Sequence, residues 1–431
     1  MAEPLATAQV RRAGEGRAIE PTPSSPAATM PTGPGIARGT PEFRRTVVAM
    51  LAAGFTTFAL MYCVQPVLPE FVREFGISPA TASLSLSLTT GIMGVAMLGV
   101  SLLSEAVGRR GLMILSMALA AVLTLASAFL PGWTTFLISR ALLGIAFAGL
   151  PALSMAYLGE EMEAEALGLA MGLYVGGTAV GGMTGRLLTA WLTDLVSWRF
   201  AVGAIGAAGV LAALLFWRML PPSRRFVPEP GGTRASLAAF TAHLRDGTLL
   251  RLFSVGFVVL GAIVALYNYI GFRLMAAPYD LSQAVVGLIF VVYLLGVGAS
   301  GWAGQLSGRI GRATLLRGSI AVMIVGAAIT LIRPLPLIVL GIAIVTAAFF
   351  AAHSVASGWV ALHTRAGKAQ SASLYLCFYY LGSSLAGWAG GLFWEGIGWP
   401  GVVVFASALL GLGVVLASQL PRIAPAQVGR G

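Results

Sequence analysis

Four polar residues stand inside long apolar stretches: Gln65, Arg140, Asn268 and His353. A polar or charged side chain in such a setting costs free energy unless it is paired, hydrated or put to use. Tyr62 precedes Gln65 by about one helical turn, just before Pro66. Tyr267 and Arg273 flank Asn268, and Tyr375, Tyr379 and Tyr380 cluster further on. Hydrogen-bond donors, aromatic faces and an imidazole that titrates near neutrality suit a path for a solute or a proton. All 16 Asp and Glu lie in tails, loops or near the ends of apolar stretches. A buried carboxylate can exchange a proton near neutral pH, and none is available in mid-stretch. A proton carrier would have to be His353, or an end carboxylate such as Glu70, Asp194 or Glu395. Each of these polar residues would serve equally well as an interhelical hydrogen bond, and Arg186 and Arg273 could reach outer lipid headgroups. The two cysteines, Cys63 and Cys377, both sit in apolar runs. Zinc-ligand spacing, a phosphate-cradling glycine loop and a nucleophile elbow are lacking, which argues against an enzyme and for no cofactor beyond a coupling proton.

The elements that must position these residues follow from composition. Of 431 residues, 57% are hydrophobic and 10% charged, against roughly a quarter charged in soluble domains. A soluble fold of this size has too little interior for so much apolar surface, so the solvent is lipid. Twelve stretches are long enough to span: 46–68, 82–103, 112–130, 134–158, 166–190 and 199–218, then 251–275, 282–303, 314–333, 336–358, 370–392 and 400–420. Pro131-Gly132 and the Pro334 to Pro336 segment separate the closest pairs. The sequence therefore predicts an all-α membrane protein of two six-helix bundles, 43–218 and 251–420. A Pro- and Arg-rich loop, 219–250, joins them. Residues 1–42, rich in Pro, Ala, Gly and Ser, read as a disordered tail, and 421–431 as a second one.

The formal net charge is +11, carried by 26 Arg and the single Lys368. With the N-terminus in the cytoplasm, the inner segments hold Arg44, Arg45, Arg109, Arg110, Arg218, Arg224, Arg225, Arg309, Arg312, Arg317 and Arg365, among others. The outer ones hold little beyond Arg73, Arg199 and Arg333. This is the positive-inside pattern. It explains the basic charge without nucleic acid and places both termini in the cytoplasm of a bacterial inner membrane.

The halves repeat each other. Residues 101–109 match 304–312 at an offset of 203, which Pro131 and Pro334 share. Asp194 and Glu395, and Trp198 and Trp399, match at 201. Such duplication is common in secondary transporters, whose site lies between the repeats near mid-membrane.

Ser104, Glu105, Gly108, Arg109 and Arg110 resemble the signature loop of the major facilitator superfamily, Gly-x-Leu-x-Asp-Arg-x-Gly-Arg-Arg. Ser101 stands for its first Gly and Glu105 for its Asp. The second copy keeps Gly304, Arg309, Gly311 and Arg312 but has Gly308 at the acidic position. The resemblance implies that Glu105, Gly108, Arg109, Gly311 and Arg312 form a cytoplasmic gate; a basic loop that only sets topology is the plainer alternative. Arg140 with Gly144 is similar to the Arg-x-x-x-Gly motif of proton-coupled members, which implies a part in proton transfer; Arg140 could also snorkel to the outer interface. Gly172, Gly176, Gly177, Gly181, Gly182 and Gly185 resemble an antiporter motif, with Thr178 in place of its Pro, and would equally permit close helix packing.

From about residue 38 to about residue 420 the chain is similar to YnfM-type transporters, grouped with acriflavine-sensitivity exporters. In the superfamily the first, fourth, seventh and tenth helices line the cavity, and Gln65, Arg140, Asn268 and His353 fall on those four. The resemblance implies proton-coupled efflux of a small neutral or amphipathic solute by a monomer in the bilayer, with Tyr62, Gln65, Arg140, Asn268, Arg273, His353 and Tyr379 on the pathway. The want of mid-membrane acids keeps an importer or facilitator of a small organic anion open. A membrane sensor or scaffold is the remaining class.

Overall fold

Without water to satisfy the backbone, only helices can run through lipid singly. In a computed structural model the described residues, 34–226 and 232–421, are accordingly helical, with one isolated β-bridge between Ile36 and Met162. The first half comprises α1 (Pro41–Tyr62), the short α2 (Leu68–Phe75), α3 (Pro79–Val107), α4 (Arg109–Ser127), α5 (Trp133–Phe147), α6 (Pro151–Glu161), α7 (Ala164–Leu195) and α8 (Trp198–Met219). After α9 (Gly232–Arg245) the second half runs through α10 (Gly247–Met275), α11 (Gln283–Gly287), a 3₁₀ segment (Leu288–Val292), α12 (Tyr293–Ile310), α13 (Arg312–Ile329), α14 (Leu335–His363), α15 (Lys368–Ile397) and α16 (Trp399–Ser418). Thr40, Ser78, Ser197 and Ser282 cap helix starts by accepting from backbone amides.

Taken with their interruptions, eleven helices among the described residues are long and apolar enough to cross a membrane. The twelfth, α15, has 30 residues and the length to span. It is too polar to qualify, with Ser371, Ser373, Tyr375, Tyr379, Tyr380 and Ser383 along it. The reason is its neighbours: α3 and α10 pack along its length, so its polar groups meet protein rather than lipid. The span expected at 134–158 is broken at Pro151 into α5 and α6, because proline cannot continue the hydrogen-bond ladder.

Two segments differ from the sequence expectation. Within the segment 1–42 expected as a tail, the chain is engaged from Ile36 onward. Ile36 is buried, its N–H donates to Glu161 O at 2.7 Å, and its carbonyl accepts from Glu163 N–H at 3.2 Å. Residues 1–33 and 422–431 lie outside the described residues, as do 227–231. The joint expected as a loop over 219–250 contains α9, which packs on α15 and α10. The His243 ring meets Gly367 O at 3.0 Å. Asp246 then caps α10, accepting from Thr248 N–H at 2.8 Å and Leu249 N–H at 3.0 Å, and meets His363 Nε2 at 3.0 Å. Burial raises the Asp246 carboxyl, but the two amides and His363 outweigh that and hold it below its ordinary value.

The halves use the same packing device. α1 lies against α7 in the first half, and α10 against α15 in the second. On α7, Gly177 and Gly185 bring their backbone against α1; a Cβ on Gly185 would sit 2.6 Å from the Ala59 Cα. Gly181 is pressed between them onto Phe55, and Gly382, 201 residues later, onto Phe257. Gly172 and Gly176 have nothing within 4 Å of an added Cβ. The glycines of α7 thus divide by helix face. Gly185→Leu should lower the stability of the detergent-solubilised protein by about 1–3 kcal/mol or more, the usual cost of overpacking. Gly172→Leu should leave it unchanged, and a thermal melt of the two variants checks the difference.

Candidate functional site

A buried polar network between the halves starts from Arg186 on α7. This guanidinium is 2% exposed. Its Nε donates to Gln65 Oε1 at 2.6 Å and its Nη1 to Gly182 O at 2.9 Å. It lies over the Tyr62 ring at 3.9 Å, with Tyr293 at 4.8 Å and Phe290 at 5.2 Å. No carboxylate among the described residues is within ion-pairing reach of it. The charge is offset by ring faces, each worth up to about 2 kcal/mol when desolvated, and by amide and backbone oxygens. Among the described residues no group accepts a hydrogen bond from its Nη2.

Arginine carries donors only, so it orients the groups that follow. Gln65 must turn Oε1 to Arg186, which leaves Nε2 to donate to Asn268 Oδ1 at 2.8 Å. Gln65 and Asn268 are 203 residues apart, the offset of the sequence repeat, and come one from each half. They meet where equivalent positions of the two halves touch. The chain of donors stops there, since Asn268 Nδ2 and the nearby Ser87 Oγ are buried without partners. The glycine 201 residues after Arg186 is Gly387. A Cβ on it would lie 3.1 Å from Asn268 Nδ2 and 3.3 Å from Ser87 Oγ. The second half therefore lacks the arginine that the first half has, and the polar centre is lopsided.

An aromatic run leads from Arg186 across the second half. Tyr293 meets Phe350 edge-on at 5.8 Å; Phe350 meets Phe349 at 5.2 Å. Phe349 stacks on the His353 ring at 6.0 Å, and His353 lies 4.6 Å from the Tyr379 ring. The His353 Nδ1 pairs with Tyr375 OH at 2.9 Å. Tyr267 stacks on Phe290 and hydrogen-bonds Thr346 at 2.7 Å. Tyr62, Gln65, Asn268, His353 and Tyr379 are thus brought into one continuous network of polar and aromatic contacts, with Arg186 at its head.

Two residues expected on that path lie elsewhere. Arg140 is fully buried inside the first half; its Nε donates to Ser85 O on α3 at 2.8 Å and its Nη2 to Met61 O on α1 at 3.0 Å. It stitches three helices of one bundle and does not snorkel. Arg273 ties α10 to the turn before α14, through the carbonyls of Thr330 and Ile332, with its guanidinium over Trp399 at 5.4 Å. Arg186, read in the sequence as a headgroup contact, is instead the centre of the network. Its glycine-rich surroundings concealed it, and only its place four residues after Gly182 hinted that one face of α7 is tightly enclosed.

Both ends of the bundle carry paired devices. At one end, Gly108 and Gly311 adopt φ of +87° and +84°, a region glycine enters without strain, and turn α3 into α4 and α12 into α13. Arg109 grips Glu160 with Nε at 2.6 Å and Nη2 at 2.5 Å, and Arg110 holds Leu220 O at 2.9 Å. The acidic last turn of α6 thus supplies the partner. The Glu105 side chain lies outside the described residues. At the far end, Glu395 closing α15 accepts from Ala80 N–H at the start of α3 at 3.0 Å, and Asp194 closing α7 accepts from Ala284 N–H of α11 at 3.4 Å. Each half thus lays a carboxylate on a helix start of the other, where the dipole favours it. Gln283 adds a bond to Pro66 O. The far end is clasped shut.

Known proteins agree with this architecture. Residues 50–372 match the family model described as Major Facilitator Superfamily. The chain is 46% identical over 387 residues to the uncharacterized MFS-type transporter YybF of Bacillus subtilis (strain 168), covering 90% of this chain and 96% of that one. It is 44% identical to the inner membrane transport protein YnfM of Escherichia coli (strain K12), covering 90% and 93%. A bacterial homolog of the human lysosomal transporter Spinster, solved inward-facing and occupied, superposes with a TM-score of 0.71 over 90% of this chain and 100% of that one, at 16% identity. The chain belongs to the major facilitator superfamily and is a multi-pass membrane transport protein.

The clasp yields a direct test. Glu395→Gln together with Asp194→Asn should weaken the far-end closure by about 1 kcal/mol, as loss of a helix-start carboxylate does. Spin labels at the exposed positions Arg73 and Gly396 should then report a longer-distance population, several-fold larger than in the parent.

Proposed function

We propose that this major facilitator chain is a secondary transporter that moves a small amphipathic organic anion by alternating access, with the solute held between Arg186 and the aromatic run that ends at His353 and Tyr379. The observation that carries the reading is the buried Arg186, which among the described residues has no carboxylate partner and no acceptor for its Nη2. A carboxylate or other anionic group would accept from Nη2 and neutralise a charge now balanced only by ring faces and neutral oxygens. An apolar body would lie along Tyr293, Phe350, Phe349 and Tyr379. A neutral solute that offers only hydrogen-bond acceptors is the second reading, favoured by the unpartnered Asn268 Nδ2 and Ser87 Oγ.

The halves would rock about the Gln65–Asn268 contact. The clasped conformation is the one in which solute enters or leaves at the arginine-rich end, which we read from the excess of Arg as the cytoplasmic side of a bacterial inner membrane. We read the direction as efflux by a monomer, with the proton as coupling ion. His353 is the proton carrier, since it is the titratable group on the path that changes charge near neutrality when unperturbed. Arg140 supports coupling only indirectly, by fixing α1 and α3 around Gln65.

In proteoliposomes, Arg186→Gln should raise the KM for organic anions about 10- to 100-fold, the value of one charge-assisted hydrogen bond, and leave neutral sugars and dyes unaffected. Equal loss for all solutes would refute the anion reading. His353→Gln should abolish transport driven by a pH gradient while solute exchange at equal pH continues. Intact pH-driven transport in that variant would sink the role given to His353.

A further inference from the structure

The two signature loops are equivalent in backbone but not in charge. In the first, Arg109 is matched by Glu160. Adding the repeat offset of 203 to each gives Arg312 and His363, so the second half has a histidine where the first has a carboxylate. Arg312 and His363 line one cavity of about 210 Å³ with Trp359, Leu362 and Arg365. Among the described residues neither Arg312 nor Arg365 has a carboxylate within ion-pairing distance. Trp359 is 1% exposed, and its indole Nε1, which can only donate, has no acceptor. The one acid nearby, Asp246, is engaged by the α10 amides and by His363 Nε2.

We propose that this cavity is a phosphate-binding site at the arginine-rich end of the second half, separate from the transport path, and that its occupant is the headgroup of an anionic phospholipid. The lining offers two guanidinium groups and a buried indole N–H with no competing carboxylate oxygen on either arginine. A tetrahedral phosphate with several acceptor oxygens matches that set, since arginine forks pair with it bidentately. Basic pockets between helices on the cytoplasmic side are where anionic headgroups bind. The lipid source is favoured by an exposed apolar residue in the lining: Leu362 is 65% exposed, and Ile310, two residues before Arg312 in the chain, is 45% exposed. An acyl chain can lie on that apolar edge while the phosphate reaches inward. The site joins the start of α13 to the end of α14, so an occupied cavity would hold the second loop as Glu160 holds the first.

Thermal unfolding of the purified full chain in detergent, titrated with short-chain phosphatidylglycerol, phosphatidylcholine or inorganic phosphate, tests it. Phosphatidylglycerol should raise the midpoint of the parent protein in a saturable way, and phosphatidylcholine should do so far less. Trp359→Phe keeps one aromatic ring and removes the indole donor with the second ring; it should weaken the apparent affinity about three- to tenfold, and Arg365→Gln, at an exposed position, about tenfold or more. A shift produced by inorganic phosphate alone and lost in the same variants would keep the phosphate site but assign it to a soluble anion. A phosphatidylglycerol shift unchanged in both variants, or no shift with any of the three, would overturn the proposal.

Discussion

Two guanidinium groups are held inside an apolar bundle with no acid to answer them, and much of the polar architecture follows from that constraint. A bare buried charge is prohibitively costly, so both arginines recruit neutral oxygens and Arg186 ring faces as well. Arg140 draws carbonyls from α1 and α3 and thereby locks the first bundle. Arg186 draws the Gln65 amide and three aromatic faces. Because arginine can only donate, it sets the direction of every hydrogen bond downstream. Gln65 is turned, Asn268 is turned by Gln65, and a contact between the halves acquires a defined polarity.

That polarity exists because duplication is imperfect. The repeats share helix order, the glycine contacts of α1 on α7 and of α10 on α15, the positive-φ turns at Gly108 and Gly311, and the far-end carboxylates Asp194 and Glu395. They differ where charge is concerned. Arg186 is answered by Gly387, and Glu160 by His363. A symmetric scaffold gives two halves of matching helix order, and the asymmetric substitutions give it one buried arginine between the halves and, among the described residues, a cavity whose arginines have no ion-paired carboxylate. Symmetry in the backbone and asymmetry in the charges do separate work.

The interfaces between the halves are themselves unequal. α3 and α15 run together over much of their length, with Gly94 pressed toward the Cys377 carbonyl. On the opposite side α7 meets α11, the 3₁₀ segment and the start of α12. The 3₁₀ stretch carries Phe290 and leads into Tyr293, so the local irregularity places both rings against Arg186. A regular helix through Leu288–Val292 would rotate the residues beyond it.

The sequence alone determined the solvent, the number of spans and the duplication, because those depend on composition, length and offset, which need no partner. It also singled out Gln65, Asn268, His353 and Tyr379, since a polar residue in an apolar run is conspicuous wherever it packs. It could not decide what each one touches. Arg140 and Arg186 look alike in the chain, each a lone arginine among apolar residues and glycines. Only the packing of α1, α3 and α7 puts the first inside one bundle and the second between two. The helix α9 stayed hidden because its apolar face is short and is completed by α15. The unequal partners of Arg109 and Arg312 were invisible for the same reason: the distance from a loop to the end of another helix is set by tertiary structure, and a charge is paired or unpaired only across that distance.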